Sequence, residues 1–222
     1  YVYLVDSAFE DNHADPKPPH APNAFGGAVY NEGALKLVRV SIHGNKATVA
    51  GGVFNRGNAL TMANVTISNN QATYHGGFAN GSPLHANSQF GIAYLYHVTH
   101  SENKDQVDAK SEIATLPSYN VYLSNSIIDG GCLGGKFYTY GGNIFGKVCD
   151  TQEEPNVDPF AAFQGKAGNV GVQGLTFNGG PELDAGFYTQ RLDGDSPAID
   201  ASRDGIFGCL QMDVNKRDAR NA

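Results

Sequence analysis

The chain has few basic residues, little charge overall and no long hydrophobic run. It carries 15 lysines and arginines against 22 aspartates and glutamates, a net charge of −7. Nothing in it concentrates enough positive charge to displace counterions from a phosphate backbone. No run of 18 apolar residues occurs, although that is about the length that crosses a bilayer. We therefore expect no nucleic-acid partner and no membrane span.

Cysteine is equally scarce. The three cysteines form no CxxC, HExxH or clustered Cys/His pattern, so the sequence predicts no metal and no other cofactor. Cys132 and Cys149 flank the aromatic, glycine-rich stretch 137–145 and could close a modest loop. Two interpretations stay open, a disulfide made in an oxidising compartment and a pair of free buried thiols. Cys209 is left over.

What the sequence does contain is an internal repeat. Two glycines followed by apolar residues and an asparagine occur at residues 26–31, 51–55 and 76–80. The segments that lie between the copies also match one another when they are shifted by the step from Gly51 to Gly76. A fixed period of roughly this length, within the range of about 20–50 residues, indicates stacked supersecondary units that each bury an apolar edge against the next.

Within each unit apolar and polar residues alternate at a period of two. The matched apolar positions are Leu35, Leu37, Val40 and Ile42 in one unit and Leu60, Met62, Val65 and Ile67 in the next. This alternation indicates short strands rather than helices, and it does not fit a leucine-rich repeat. We predict a right-handed parallel β-helix of about five to six coils over residues 1–150. An irregular segment, 151–222, is predicted to cap it.

Four asparagines support the β-helix because each follows a strand in the same register: Asn12, Asn45, Asn70 and Asn103. Asparagine tolerates the left-handed backbone of a sharp corner. Stacked amides can also hydrogen-bond from coil to coil as an internal ladder. The first and last of the three intervals between them are longer than the middle one, which predicts insertions of about eight residues in two coils, at residues 15–22 and around residues 82–90.

The coils resemble those of the pectate-lyase-like right-handed parallel β-helix superfamily, and the C-terminal half carries more specific motifs. These motifs are residues 125–129 (Asn-Ser-Ile-Ile-Asp), 142–146 (Gly-Asn-Ile-Phe-Gly), 157–159 (Val-Asp-Pro), 177–181 (Phe-Asn-Gly-Gly-Pro), 195–200 (Asp-Ser-Pro-Ala-Ile-Asp) and 209–213 (Cys-Leu-Gln-Met-Asp). In this order they resemble the bacterial choice-of-anchor Q type of protein. Its usual Asp-Gln-Arg-Gly ending reads differently here, at residues 213–217.

The resemblance implies a bacterial protein that is secreted or attached to the cell surface, with a C-terminal block that ends the solenoid. It also favours the disulfide, because two cysteines commonly occur in that family where Cys132 and Cys149 stand. The family has no established catalytic signature, so the resemblance implies no catalytic residues.

Stacking predicts columns of outward residues. Six positions before the asparagines lie Asp6, Arg39, Asn64 and His97, and two positions before them lie Glu10, His43, Ser68 and Ser101. Asp6 should therefore face Arg39, and Glu10 should face His43. Arg39, His43 or His97 could act as the base of a uronate lyase. Opposite-charge pairing on a solvated sheet face explains the same residues, and we adopt that interpretation.

Two further columns invite functional interpretations. His100 falls in the inward column of Ile42 and Ile67, so we expect a core histidine held by a backbone hydrogen bond. It cannot pair with His97 on one metal, because residues three apart on a strand point to opposite faces. The outward column of Ser41, Thr66 and Thr99 invites an ice-binding interpretation, which we discount because the column is short and is interrupted by Ala8 and Ile127.

Loop positions predict a groove. Insertions 15–22 and 104–118 should leave one corner about three coils apart, roughly 14 Å at the strand spacing. The tight corners 46–50 and 71–75 lie between them and would form the floor of a concave site for a sugar chain. The predicted ligand-binding residues on that floor are Lys46, Tyr74 and His75. The alternative is that loops simply vary on solenoids.

Together these features predict a non-catalytic secreted or cell-surface β-helix module with a structural, adhesin-like or glycan-binding role. The expected partner is a polysaccharide or another cell-surface component, and a place in a larger extracellular assembly stays open. The alternative function is a polysaccharide lyase acting on uronate-containing glycans.

Overall fold

The structure is a computed structural model. It describes residues 1–17, 23–57, 59–82, 91–107, 111–140, 143–146, 149, 151–153, 172–178 and 187–192. Its described residues form strands and turns without any helix. The strands are β1 (Val2–Glu10), β2 (Val29–Asn31), β3 (Ala34–His43), β4 (Lys46–Val49), β5 (Val53–Asn55), β6 (Ala59–Ser68), β7 (Gln71–Tyr74), β8 (Phe78–Asn80), β9 (Ile92–Ser101), β10 (Lys104–Asp105), β11 (Ser111–Ser124), β12 (Ile127–Ile128), β13 (Gly131–Thr139), β14 (Ile144–Phe145), β15 (Thr151–Glu153), β16 (Val172–Asn178) and β17 (Phe187–Leu192).

The strands stack in parallel, one coil above the next. The long strands pair in the order β1-β3-β6-β9-β11, and β13 and β15 continue that sheet. The short strands β2, β5 and β8 form a second parallel run that joins the first part of β11. A third run consists of β4, β7 and β10. Successive coils thus contribute strands to the same three runs, which confirms the predicted parallel β-helix.

The core is the stack of inward side chains that the alternation predicts. Leu37 pairs with Met62, and Ile42 pairs with Ile67, each one strand apart in register. All four side chains are fully buried. Burying a side chain of this size contributes about 1.5–3 kcal/mol, so a column that repeats through the coils supplies most of the stability.

Asparagine ladders hold the coils in register. The Oδ1 of each later asparagine accepts two hydrogen bonds from the asparagine one coil earlier, from its backbone N–H and its side-chain Nδ2, at 2.9–3.0 Å. The predicted ladder through Asn12, Asn45, Asn70 and Asn103 is therefore confirmed. A second ladder, not predicted, joins Asn31 to Asn55 and Asn55 to Asn80, both at 2.7 Å.

The long strands β1, β3, β6 and β9 each bend at one residue with left-handed backbone, and the same bend recurs directly after β11. The five residues at the bend have φ between +48° and +54°: Asp6, Arg39, Asn64, His97 and Asn125. The first four lie six positions before the asparagines of the first ladder, in the outward column described above. The register of the strand pairing does not include these four residues. The bend divides the coil into two arms, so side chains before and after it face different directions.

Glycine is required at the corner before the short strands because neighbouring backbones touch there. A Cβ on Gly51 would lie 2.5 Å from the carbonyl oxygen of Gln71, which no side chain tolerates. The register also corrects the first copy of the repeat. Val29 pairs with Val53, so Gly27 rather than Gly26 is the counterpart of Gly51, and this step is one position shorter than the next.

The predicted loop 104–118 is wrong for the described residues, because most of it is strand. The Lys104 N–H donates to the carbonyl of Asn70 at 2.7 Å, and Lys104 then pairs with Gln71. Ile113 is fully buried in the column of Phe78. This coil lacks the double glycine, and for that reason its sequence resembles an insertion.

A disulfide joins Cys132 to Cys149, with a Cα–Cα distance of 4.8 Å and a sequence separation of 17. This confirms the disulfide interpretation over the two free thiols. Closing a loop of this size is worth about 3 kcal/mol by the chain-entropy argument. It clamps the end of the solenoid where the repeat fades.

The C-terminal segment is described only in part. Strands β16 and β17 form an antiparallel hairpin, and β17 lies beside β3 and β6. The capping role of 151–222 stays a prediction. Cys209, most of the C-terminal motifs, and parts of both predicted insertions (18–22 and 83–90) lie outside the described residues. No helix of membrane-spanning length and apolarity occurs in the part of the chain that the structure describes.

The ladder predicts a difference between its interior and its end. Asn45 is fully buried, accepts from Asn12 and donates to Asn70 and to the carbonyls of Phe9 and His43. Asn45→Leu keeps the side-chain shape but leaves these groups without a partner. It should lower the free energy of unfolding by about 3 kcal/mol, measured by urea denaturation.

Asn12→Leu is the matched control, because the Asn12 amide lies exposed at the end of the ladder and donates to Asn45. It should cost about 1 kcal/mol. Equal losses in the two variants would mean that the ladder does not hold the interior coils.

Candidate functional site

The structure separates two of the predicted groove residues. Lys46 pairs with Gln71, and Val49 pairs with Tyr74, so Lys46 and Tyr74 stand three register positions apart. Residues an odd number of positions apart along a strand point to opposite faces. Tyr74 is half-buried against the small apolar cluster that contains Phe54. The two side chains therefore do not share a floor.

His75 lies at a strained corner, with φ of +61°. Its backbone N–H donates to the Asp105 carboxylate at 2.8 Å, and its Nδ1 lies 3.8 Å from the same oxygen. Asp105 is buried, with 2% of its side chain exposed, and it also accepts from the Val107 N–H. The contacts between His75 and Asp105 thus stabilise the corner. Ligand binding by Lys46, Tyr74 and His75 stays a prediction, without the expected wall at 104–118.

The predicted charge pairs are confirmed. Arg39 donates to both carboxylate oxygens of Asp6, at 2.6 and 2.7 Å, and His43 Nε2 lies 3.2 Å from Glu10. The hydrogen bonds to Asp6 raise the pKa of Arg39. Since the Asp6 side chain is half-exposed, screening limits the pair to at most about 1 kcal/mol.

The three proposed lyase bases do not converge on one point. Asn64 lies between Arg39 and His97 in their column, so those two residues are two strands apart, roughly 10 Å. His43 lies beyond the bend and is bound to Glu10. Among the described residues, no three histidine, cysteine, aspartate or glutamate side chains gather in a way that could hold a metal ion.

His100 is a core residue, as predicted. It is fully buried in register with Ile67 and Ile128, and its ring lies 6.4 Å from that of Phe78. Burial lowers its pKa to about 3, because the charged form loses its hydration. The histidine is therefore neutral at physiological pH. The backbone hydrogen bond expected for its ring stays a prediction.

The ice-binding interpretation fails on burial. Ser41 and Thr66 face outward on β3 and β6, yet they are only 2% and 6% exposed, which leaves Thr99 as the one partly exposed residue of the column. These are the two strands beside which β17 lies. Side chains hidden in this way cannot order a surface layer of water.

A tyrosine cluster on the outward face of the long sheet is the feature that sequence reasoning missed. Tyr94, Tyr122 and Tyr138 occupy the same register position on β9, β11 and β13. Their ring centroids are 5.0 Å apart at both steps, with interplanar angles of 19° and 17°. Tyr96 stacks on Tyr94 at 6.2 Å, and Tyr140 stacks on Tyr122 at 5.9 Å. We call these five residues the tyrosine surface.

Strand alternation explains why the tyrosines gather. Leu95 and Leu123 point into the core, so the residues beside them, Tyr94 and Tyr122, must point outward. Stacked aromatic pairs of this kind contribute about 0.5–1.5 kcal/mol beyond their burial. Tyr96 is 5% exposed, and burial raises its pKa. The other four tyrosines are partly exposed to solvent.

The sequence signal for this cluster is weak because it has no fixed period. Tyr122 follows Tyr94 by more than one repeat length, whereas Tyr138 follows Tyr122 by much less than one. Alignment on the asparagines stops at Asn103, before two of the three rungs. Only the strand pairing reveals the row.

Comparison with family models, with curated proteins and with solved structures found no match for this chain.

His100 makes stability depend on pH. Its pKa of about 3 in the folded state lies below the ordinary value of 6.5, so between these values the unfolded chain binds more protons. Stability should therefore fall as pH drops below 6.5, by about 1.4 kcal/mol per pH unit from this residue. In His100→Ile, the free energy of unfolding should depend less steeply on pH by that amount. Urea denaturation at several pH values between about pH 6.5 and 4.5 measures this slope.

The exposed His13 offers a matched control. His13→Asn should leave the pH dependence carried by His100 in place. An unchanged slope in His100→Ile would show that the buried histidine is not the group responsible.

Proposed function

We propose that this chain is a non-catalytic β-helix module of a secreted or cell-surface protein, and that it binds glycan through the tyrosine surface. One observation carries the proposal: three partly exposed tyrosines, Tyr94, Tyr122 and Tyr138, stand in register on the outward face of one sheet. The resemblance to the bacterial choice-of-anchor Q type supports the location.

Tyrosine suits glycan recognition because each side chain combines an apolar ring with a hydroxyl that donates and accepts hydrogen bonds. Sugars have the complementary character, with apolar C–H surfaces beside a dense set of hydroxyls. The rings are already stacked on one another, so little conformational entropy is lost when a ligand binds.

The disulfide supports a secreted or cell-surface location. Disulfides persist in oxidising compartments and are rare in the cytosol. The Cys132–Cys149 bridge is compatible with such a compartment. The acidic composition, with a net charge of −7, suits a partner other than nucleic acid.

The alternative is a lyase acting on uronate-containing glycans, with Arg39, His43 or His97 as its base. A general base must accept a proton near the working pH. The raised pKa of Arg39 and its two hydrogen bonds to Asp6 make it a poor acceptor. We therefore prefer binding without turnover.

Binding can be tested on a glycan array and then by affinity electrophoresis. The native chain should be retained by at least one polysaccharide, and Tyr122→Ala should weaken binding about tenfold, since Tyr122 contacts both neighbouring rings. Tyr30, an exposed tyrosine on β2, provides the control. Tyr30→Ala should bind as the native chain does. If no glycan is retained, glycan binding is wrong.

Turnover can be tested separately. Incubation with a panel of uronate polysaccharides, with and without calcium, should give no rise in the ultraviolet absorbance of unsaturated uronate ends. A rise that Arg39→Ala abolishes, with the fold intact, would replace the binding module with a lyase.

A further inference from the structure

The three stacked tyrosines of the tyrosine surface form a row that is parallel to the solenoid axis. Tyr94, Tyr122 and Tyr138 belong to three successive strands of one sheet, so the row runs along the solenoid axis rather than along a strand. Neighbouring strands lie about 4.8 Å apart, and the ring centroids follow that spacing at 5.0 Å. The repeat of the row is therefore set by the backbone hydrogen bonds and cannot adjust to a ligand.

A linear pyranose chain with equatorial linkages, such as a β-1,4-linked glucan, is extended and advances by nearly one strand spacing per sugar. We propose that the tyrosine surface binds a chain of this class lying along the solenoid axis, with one sugar against each of the three tyrosine rungs. This inference rests on the proposed function, and it names the ligand geometry and the orientation.

The rungs present hydroxyls and ring edges rather than open ring faces. Tyr94 and Tyr138 cover the two faces of the Tyr122 ring, and Tyr122 covers the facing side of each of them. The outward groups are then the phenol oxygens, of which that of Tyr122 lies 3.5 Å from Asn120 Nδ2. Successive sugars of a β-1,4-linked glucan are turned by about half a turn, so the edge that faces the row presents the 2- and 3-hydroxyls and the 6-hydroxyl alternately, one set against each rung. A helical α-1,4-linked chain turns its sugars out of step with them.

The row has a defined end toward the earlier coils. Thr61 on β6 is in register with Tyr94 and contributes no ring. Beyond it, Lys36 lies over the Tyr3 ring, with Nζ 5.2 Å from the ring centroid, and so turns away from Thr61. Three aromatic rungs are therefore consecutive. Affinity should rise with each sugar up to a trisaccharide and then level off.

A purely structural stack would explain the same rings, and the phenol hydroxyls distinguish the two roles. Tyr122→Phe keeps the ring, the stacking and the burial while removing one hydroxyl. The change also removes the contact with Asn120, but if the stack serves only stability the affinity for glycan is unaltered. A binding row loses the hydrogen bond that its middle rung makes to the ligand.

The experiment is isothermal titration calorimetry on the full chain with cellohexaose, chitohexaose and maltohexaose, followed by the shorter cello-oligosaccharides. We expect one of the β-1,4-linked hexasaccharides to bind at least about tenfold more tightly than maltohexaose. Tyr122→Phe should weaken that binding about tenfold, whereas Tyr30→Phe should not. Urea denaturation of each variant establishes that the fold is retained.

The outcomes distinguish glycan binding in general from binding of an extended chain along the tyrosine row. If glycans bind equally well whatever their linkage, or if Tyr122→Phe binds as the native chain does, the axial row is wrong while glycan binding stands. If no glycan binds here or on the array, both proposals fail.

Discussion

The structure depends on the asparagine ladder more than on any other interaction. A buried amide such as Asn45 links three coils through its side chain and backbone, and it has one position in which all of its partners are satisfied. A slip of one residue would break every rung and turn the core residues outward. The hydrophobic columns supply most of the stability, whereas the ladders choose the register in which they form. The same register determines which surface residues are neighbours, including those of the tyrosine row.

The bend in the long strands divides the outward surface into two parts with different roles. On the arm after the bend, the outward Ser41 and Thr66 of the middle coils are hidden, and β17 lies beside their strands. On the arm before it, Tyr94, Tyr122 and Tyr138 are partly exposed. Because left-handed residues fix the bend from coil to coil, the exposed arm keeps its direction along the solenoid.

The sequence predicts what repeats and misses what does not. The repeat step was sufficient to predict the core columns, the ladder through Asn45 and the pairing of Asp6 with Arg39, because all of these recur at fixed positions. The coil that contains Ile113 lacks the double glycine, so the sequence wrongly predicts a loop there. The tyrosine row was missed because its rungs are unevenly spaced along the chain, and only the pairing of β9, β11 and β13 makes them neighbours.

Stacking and recognition use different parts of the same tyrosines. Ring faces turned toward one another stabilise the sheet, which leaves the hydroxyl edges as the groups that a ligand can reach. A rigid row cannot adapt to a ligand of another repeat, so the selectivity that we propose for it comes from spacing rather than from the shape of a pocket. The backbone hydrogen bonds that make the solenoid regular therefore also set which polymer can follow it, and a chain of a different rise would lose contact after one or two rungs.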